Sequence, residues 1–317
     1  MSPTHQQGTP ARRRVVRAIG AAVVAALALA SCSTASGSAD TRAGGTTIRV
    51  VAAENLWGSL ASQLGGSHAQ VTSIIHSPDA DPHDYEPTAA DGRRIAAADL
   101  VVANGVGYDP WATKLADANP SDSRTMLTVG DLVGAKDGGN PHRWYDPDDV
   151  RTVIDRITAA YKKIEPKDAA FFDRQRKTVL DTNLKRYFGL VDTIHQRYHG
   201  TPVGASESIF AMLAPALGLD LRTPTGLLDA VSEGADPTAR DKATADTQIR
   251  TKQIKVYVYN SQNATPDVQA QVKAAKAAGI PVTTITETLT PAGASFQDWQ
   301  VAQLTALQRA LATATGR

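Results

Sequence analysis

The sequence predicts an α/β protein of two (βα)-type lobes, each built on a parallel sheet. Three observations carry this. Buried-strand patterns alternate with helical ones from residue 47 to about residue 130. A purely helical stretch then interrupts the alternation, which resumes from residue 201 to the end. Strands separated by helices need crossover connections, and those make parallel sheets. The length of 317 residues fits a prior of ~150 residues per domain.

The first 31 residues stand outside that pattern. Arg12, Arg13, Arg14 and Arg17 precede a small apolar run from Ala18 to Ser31, with no acid. The run is shorter than the ~20 residues a helix needs to span a bilayer. A basic segment before a short apolar one is the pattern of a secretory signal. It ends in Leu29-Ala30-Ser31-Cys32, where the chain's one cysteine falls. The segment 1–31 is therefore expected to be a signal peptide, and Cys32 a lipidation site resembling a bacterial lipobox. Two acyl chains there suffice for stable anchoring. Residues 33–46 are small and polar, a flexible tether that with Cys32 makes up 32–46. A single cysteine excludes an intramolecular disulfide, a zinc ribbon and an iron–sulfur cluster.

Ile48 to Ala52 reads as a buried strand, and Trp57 to Leu64 as a helix stopped by Gly65-Gly66. Val71 to Ile75 is a strand. A Pro/Asp-rich loop follows from Ser77 to Pro87, then a helix from Thr88 to Ala98. Leu100 to Ala103 is a strand, a helix begins near Pro110, and Met126 to Val129 is a weak strand. Asp146 and Pro147 suit the N-cap and first turn of a helix that Pro166 ends. These elements make a first lobe at 47–165. A second helical pattern runs from Lys167 to Tyr198. As one helix of about thirty residues it exceeds the usual length and can bridge two lobes. The alternative is two helices interrupted near Asn183. The linking segment is set at 166–200 and the second lobe at 201–317. In that lobe Pro202 to Ala205 is a strand, Ser208 to Leu217 a helix and Asp220 to Arg222 a short strand. A helix follows from Pro237 to Arg250, then the β-branched strand Ile254 to Tyr259. A helix from Pro266 to Ala278, a strand from Gly279 to Ile285 and a helix from Ser295 to Thr313 complete the chain.

Lysine and arginine total 33 against 32 aspartate and glutamate, so nothing points to nucleic acid as partner. Without the four arginines of residues 1–31 the balance is 29 basic to 32 acidic, a mild surplus that suits a cationic ligand.

The candidate site residues sit in loops after strands, where open α/β sheets bind ligands. His83 lies in Asp81-Pro82-His83-Asp84-Tyr85-Glu86-Pro87, and His142 in Asn140-Pro141-His142-Arg143-Trp144-Tyr145. A preceding proline fixes the backbone of each. Glu207 directly follows the strand Pro202–Ala205, where ligand and helix cap are both open readings. Two imidazoles and a carboxylate suit borderline first-row ions better than calcium or copper(I). The imidazoles bind when neutral, so affinity should fall below the ordinary histidine pKa of ~6.5. Their wide separation in sequence excludes a local finger and favours a site between lobes. His195 and His199, four apart on one helix, read as surface residues near a helix end. His68 reads as exposed, and His76 as neighbouring the His83 loop or solvent. Trp144 and Tyr85 read as water-excluding packing.

These motifs, with Ala205-Ser206-Glu207-Ser208-Ile209-Phe210 and Val258-Tyr259-Asn260-Ser261-Gln262-Asn263, resemble the metal-binding lipoproteins of bacterial ABC importers for zinc and manganese, the cluster A-I solute-binding family. The resemblance covers essentially the whole mature chain. It implies two lobes joined by one long rigid helix, with the metal in the interlobe cleft. It implies an ABC permease and, through it, a cytoplasmic ATPase as partners, an extracytoplasmic place at the cell membrane, and a monomer without enzymatic activity. His83 and His142 then become ligands of the first lobe, and Glu207 takes the third position. The family's usual fourth ligand, an aspartate, is expected after the Ile254–Tyr259 strand, where this chain has Asn263. A neutral amide there leaves a buried dication with one carboxylate, which is costly. Glu287, just after the last strand, or a water can make good that charge. Glu207 in place of a third histidine, and a segment Asp131 to Gly139 without histidine, favour manganese or iron. The affinity series favours zinc. Two rival classes are an exported metalloenzyme, for which HExxH and GxSxG are absent, and an adhesin-type lipoprotein with a structural metal.

Overall fold

The computed structural model describes residues 47–77, 85–136 and 138–317. The expected signal peptide, Cys32, the tether and His83 lie outside the described residues.

The chain runs β1 (Ile48–Glu54), α1 (Asn55–Gly65), β2 (Ala69–Ile75), α2 (Ala89–Ala97), β3 (Leu100–Ala103), α3 (Pro110–Ala118), β4 (Thr125–Thr128) and α4 (Val129–Leu132). The long helix α5 (Pro147–Ile164) follows, with the Asp146 carboxylate accepting from the N–H groups of Asp148 and Asp149 as its sequence predicts. Then come α6 (Ala169–Thr178), α7 (Lys185–Tyr198), β5 (Pro202–Ala205), α8 (Ile209–Leu213), β6 (Asp220–Leu221), α9 (Thr225–Ser232), α10 (Ala239–Arg250), β7 (Val256–Asn260), α11 (Pro266–Ala277), β8 (Val282–Ile285) and α12 (Phe296–Thr315). Among the described residues no helix is long and apolar enough to cross a membrane.

The strands form two four-stranded parallel sheets, in the orders β2-β1-β3-β4 and β6-β5-β7-β8. The two sheets repeat one winding. In each, the order reverses beside the first strand, between β1 and β3 and between β5 and β7. Ligands of open α/β sheets bind beyond the strand ends at such a reversal.

Alternation along β1 shows how the core is divided. Val50 and Ala52 enter one apolar cluster, Val51 and Ala53 another on the opposite face. The first cluster is shared by both sheets. It holds Trp57 and Val102 of one lobe, Val203 and Phe210 of the other, and Ile154, Tyr187 and Trp299 between them. The outer face of the second sheet has its own cluster around Ile254, Tyr257 and Val272.

The stretch expected as one continuous helix or as two helices interrupted near Asn183 takes the second form. It runs from α6 into one π-turn, Val179–Asn183, and on into α7. There Asn183 Nδ2 donates to Gln63 Oε1 at 2.8 Å, and Gln63 Nε2 donates to Gln297 Oε1 at 2.9 Å. This amide chain ties α1, the linking segment and α12 together. The helix expected over Ser208–Leu217 is shorter, because Pro215 cannot continue α8. The helix α9 was not expected. His68 is half-buried instead of exposed: its Nδ1 lies 2.5 Å from Asp168 Oδ2, and its ring stacks on Phe171 at 4.0 Å.

Candidate metal centre

Sheet register builds the second lobe's half of the site. Ala205 pairs with Val258, and Asn260 with Ile285. The ends of β5, β7 and β8 are thus neighbours. Glu207 lies two residues past β5, Glu287 two residues past β8, and Asn260 ends β7 between them. Glu207 is 1% exposed and Glu287 6%. One nitrogen, Asn260 Nδ2, donates to Glu207 Oε1 at 2.6 Å and to Glu287 Oε1 at 2.7 Å. Asn260 Oδ1 accepts from the Gln262 N–H at 3.0 Å, which fixes the orientation of the amide. The remaining carboxylate oxygens are held as well. Glu207 Oε2 accepts from Asn263 Nδ2 at 2.8 Å, and Glu287 Oε2 from the Tyr108 hydroxyl at 3.0 Å. The Glu207 carboxylate faces the asparagines and does not cap α8, whose N-cap Ser208 makes no side-chain bond.

The first lobe contributes His142, which is fully buried. Asn140 orients it. Asn140 Nδ2 donates to the Ser208 carbonyl at 2.6 Å, so its Oδ1 is the atom 2.8 Å from His142 Nδ1. An acceptor on that side puts the ring proton on Nδ1 and the lone pair on Nε2. The ring meets Trp144 edge-on at 5.3 Å and Tyr108 at 6.0 Å. Tyr108 therefore touches His142 and, across the cleft, Glu287.

The loop that carries Tyr108 is strained. Gly105, Val106 and Gly107 have φ of 73°, 54° and 80°. The β-branched Val106 in that region costs on the order of 1–3 kcal/mol. Asp109 holds the turn, its carboxylate accepting from the N–H groups of Asn104 at 2.6 Å and Gly105 at 2.7 Å. Beside it Glu54, at the end of β1, is fully buried. Burial, then the Asp109 charge, pushes the Glu54 carboxyl well above its ordinary range. Burial also raises Asp109, while the backbone N–H groups of Gly105 and Asn104 oppose this. Glu54 is thus the carboxyl whose ionisation burial and the neighbouring charge oppose. Its stabilising neutral form is complete at low pH and is lost as pH rises through the raised value. Between the ordinary carboxylate range and that raised value, wild-type stability should fall by up to about 1.4 kcal/mol per pH unit. Glu54→Gln cannot ionise and should flatten that fall, as chemical denaturation from acid to alkaline pH would measure.

The structure brings together only part of the expected donor set. Glu207 and Glu287 share Asn260, His142 reaches them through Tyr108, and Asn263 turns its amide nitrogen to Glu207. His83 lies outside the described residues. Among the described residues, no three His, Cys, Asp or Glu side chains form a metal-holding group by themselves. His195 and His199 are exposed, with His195 Nδ1 3.0 Å from the Ala216 carbonyl oxygen. Sequence reasoning assigned no role to Asn260 or Tyr108. Their signal was position, since Asn260 ends a strand at the sheet reversal and Tyr108 lies in the loop after another. Two buried carboxylates bridged by a neutral amide repel each other, and a cation between them relieves that.

The fold is two-lobed, and its strand ends bring two buried carboxylates together on one amide. Over residues 50–310 the chain matches the family described as zinc-uptake complex component A, periplasmic, and it belongs to that family. It is 25% identical over 283 residues to the manganese-binding lipoprotein MntA of Bacillus subtilis, covering 84% of this chain and 87% of that one. It is 24% identical over 266 residues to the manganese ABC transporter substrate-binding lipoprotein PsaA of Streptococcus pneumoniae, covering 77% and 81%. The solved structure of the SBP FpvC from Pseudomonas aeruginosa in complex with Mn2+ superposes with a TM-score of 0.71 at 19% identity, covering 84% of this chain and 99% of that one. That likeness establishes the fold.

Proposed function

We propose that this chain is an extracytoplasmic solute-binding protein that captures a divalent transition metal, manganese ahead of zinc, for an ABC permease and its ATPase. Its ligands are His83, His142, Glu207 and Glu287, and Asn263 serves as a donor to Glu207. One observation carries the reading: two buried carboxylates from different strand ends meet on one neutral amide, with a buried, oriented histidine across the cleft. Two neutral imidazoles and two carboxylates balance a dication, which removes the charge deficit that Asn263 as fourth ligand would leave. The relatives named for manganese support the choice of ion. Lipid on Cys32 would hold the protein at the membrane, with 47–165 and 201–317 as its lobes and 166–200 as the link.

Calorimetric titration of metal-free protein beginning at Ser33 tests this. One-to-one Mn2+ binding that His142→Ala removes is expected. Binding unchanged in a His83→Ala, His142→Ala double variant would sink the assignment.

A further inference from the structure

We propose that Asn260 is the positioning residue that sets the choice of metal: its single amide nitrogen, donating to Glu207 and Glu287 together, fixes the spacing of the two carboxylates and favours manganese over zinc. The inference rests on the reading of these two glutamates as ligands.

The chemistry of the bridge is restrictive. To make a full, short hydrogen bond to each of two carboxylates from one atom, as at 2.6 and 2.7 Å here, that atom needs two hydrogens. Serine, threonine, tyrosine and tryptophan offer one each. Lysine and arginine offer more, but they bring a positive charge. Among neutral side chains only the primary amides of asparagine and glutamine can make this bridge. A neutral bridge leaves both negative charges for the cargo, where an ammonium would cancel one of them.

The bridge is also fixed in place. Asn260 is fully buried and stands in register with Ile285. Its backbone N–H donates to Ser206 Oγ at 3.1 Å, and its side-chain oxygen accepts from Gln262. Gln262 Oε1 in turn accepts from the N–H groups of Glu287 at 2.6 Å and Thr288 at 3.1 Å. The strand end that carries the bridge thus grips the segment that carries Glu287. With Asn263 and Tyr108 on the outer oxygens, each carboxylate is held at both ends. A carboxylate so held keeps a lone pair for an ion but resists swinging inward.

That resistance discriminates between metals. Zinc takes four ligands at carboxylate distances of about 2.0–2.2 Å. Manganese suits oxygen-rich sites of higher coordination. In a site that adapts, the affinity series gives zinc the advantage, so proteins select by geometry. A donor set that cannot contract withholds part of that advantage from zinc. Freeing the carboxylates returns it.

The test titrates Mn2+ and Zn2+ into wild type, Asn260→Ala and Asn260→Ser, and records the visible spectrum of the Co2+-loaded proteins. Loss of an outer hydrogen-bond partner typically costs ~10–100-fold in affinity. Manganese affinity of Asn260→Ala should fall by about that factor and zinc affinity by distinctly less. Asn260→Ser, with one donor hydrogen, should fall between, and it carries the test if the alanine variant does not fold. Co2+ absorption should intensify as the site contracts toward four ligands. Equal losses for both metals, with an unchanged Co2+ spectrum, would make Asn260 merely structural and overturn the inference alone. So would no loss for either metal. A wild type that binds neither metal would overturn this inference together with the transport reading.

Discussion

In Glu207→Ala and Glu287→Ala, Mn2+ should no longer raise the unfolding temperature. Wild type in hundredfold excess of metal over Kd should gain about 2.7 kcal/mol from binding. Each variant leaves one carboxylate to offset a dication in a buried cleft, and charge buried without its counterpart is costly. Each also takes one acceptor from Asn260 Nδ2. An amide hydrogen left buried without a partner costs about 1–3 kcal/mol. Relief of the repulsion between the two carboxylates works the other way. The metal-free variants should therefore stay close to wild type in stability while the metal response disappears. Scanning calorimetry with and without Mn2+ separates that pattern from misfolding. A variant that kept the full metal-dependent rise would remove its glutamate from the ligand set.

The second large effect is structural. Trp299→Ala should destabilise the protein by about 3–5 kcal/mol, the usual cost of truncating a buried aromatic. Trp299 is 1% exposed and packs on Tyr145 at 5.6 Å and Phe296 at 5.9 Å. Its Nε1 donates to Thr286 Oγ1 at 2.8 Å. Thr286 precedes Glu287, and its carbonyl accepts from the Tyr145 hydroxyl at 2.8 Å. The cavity would thus open directly behind a candidate ligand. Trp299→Phe keeps most of the volume and loses one hydrogen bond, so it should cost only about 1 kcal/mol. Equilibrium denaturation of both variants measures the difference. Equal costs would mean that the hydrogen bond, and not the packing, dominates.

Much of the fold was legible because its signals are local. The β-branched run near Val256, the Asp146-Pro147 start of α5 and the Gly65-Gly66 stop of α1 each need only a few neighbouring residues. The helix α9 was missed: Pro224 and Gly226 at its start are residues that disfavour helix interiors. An interruption near Asn183 was open as an alternative, but its π-turn was not foreseen, because Val179 to Asn183 has no residue that forbids an ordinary helix. At the site, His142 and Glu207 were legible from motif and place. The partnership of Asn260 was not, because its acceptors lie 53 and 27 residues away in sequence. Only the parallel register of β5, β7 and β8 brings them together. Glu54 shows the same limit. An acid at the end of an apolar strand looks like the start of a loop, and only the folded chain sets it beside Asp109.

The apolar cluster shared by the two sheets has a consequence for where binding energy goes. Trp57, Phe210 and Trp299 belong to one continuous interior. An ion that favours the closed cleft therefore stabilises the whole of that interior, and not just the loops that touch it. Amides of α5 and α7, helices that carry none of the candidate ligands, would then exchange with solvent more slowly once the cleft is filled. The cargo becomes in effect a last piece of the hydrophobic core's own cooperativity.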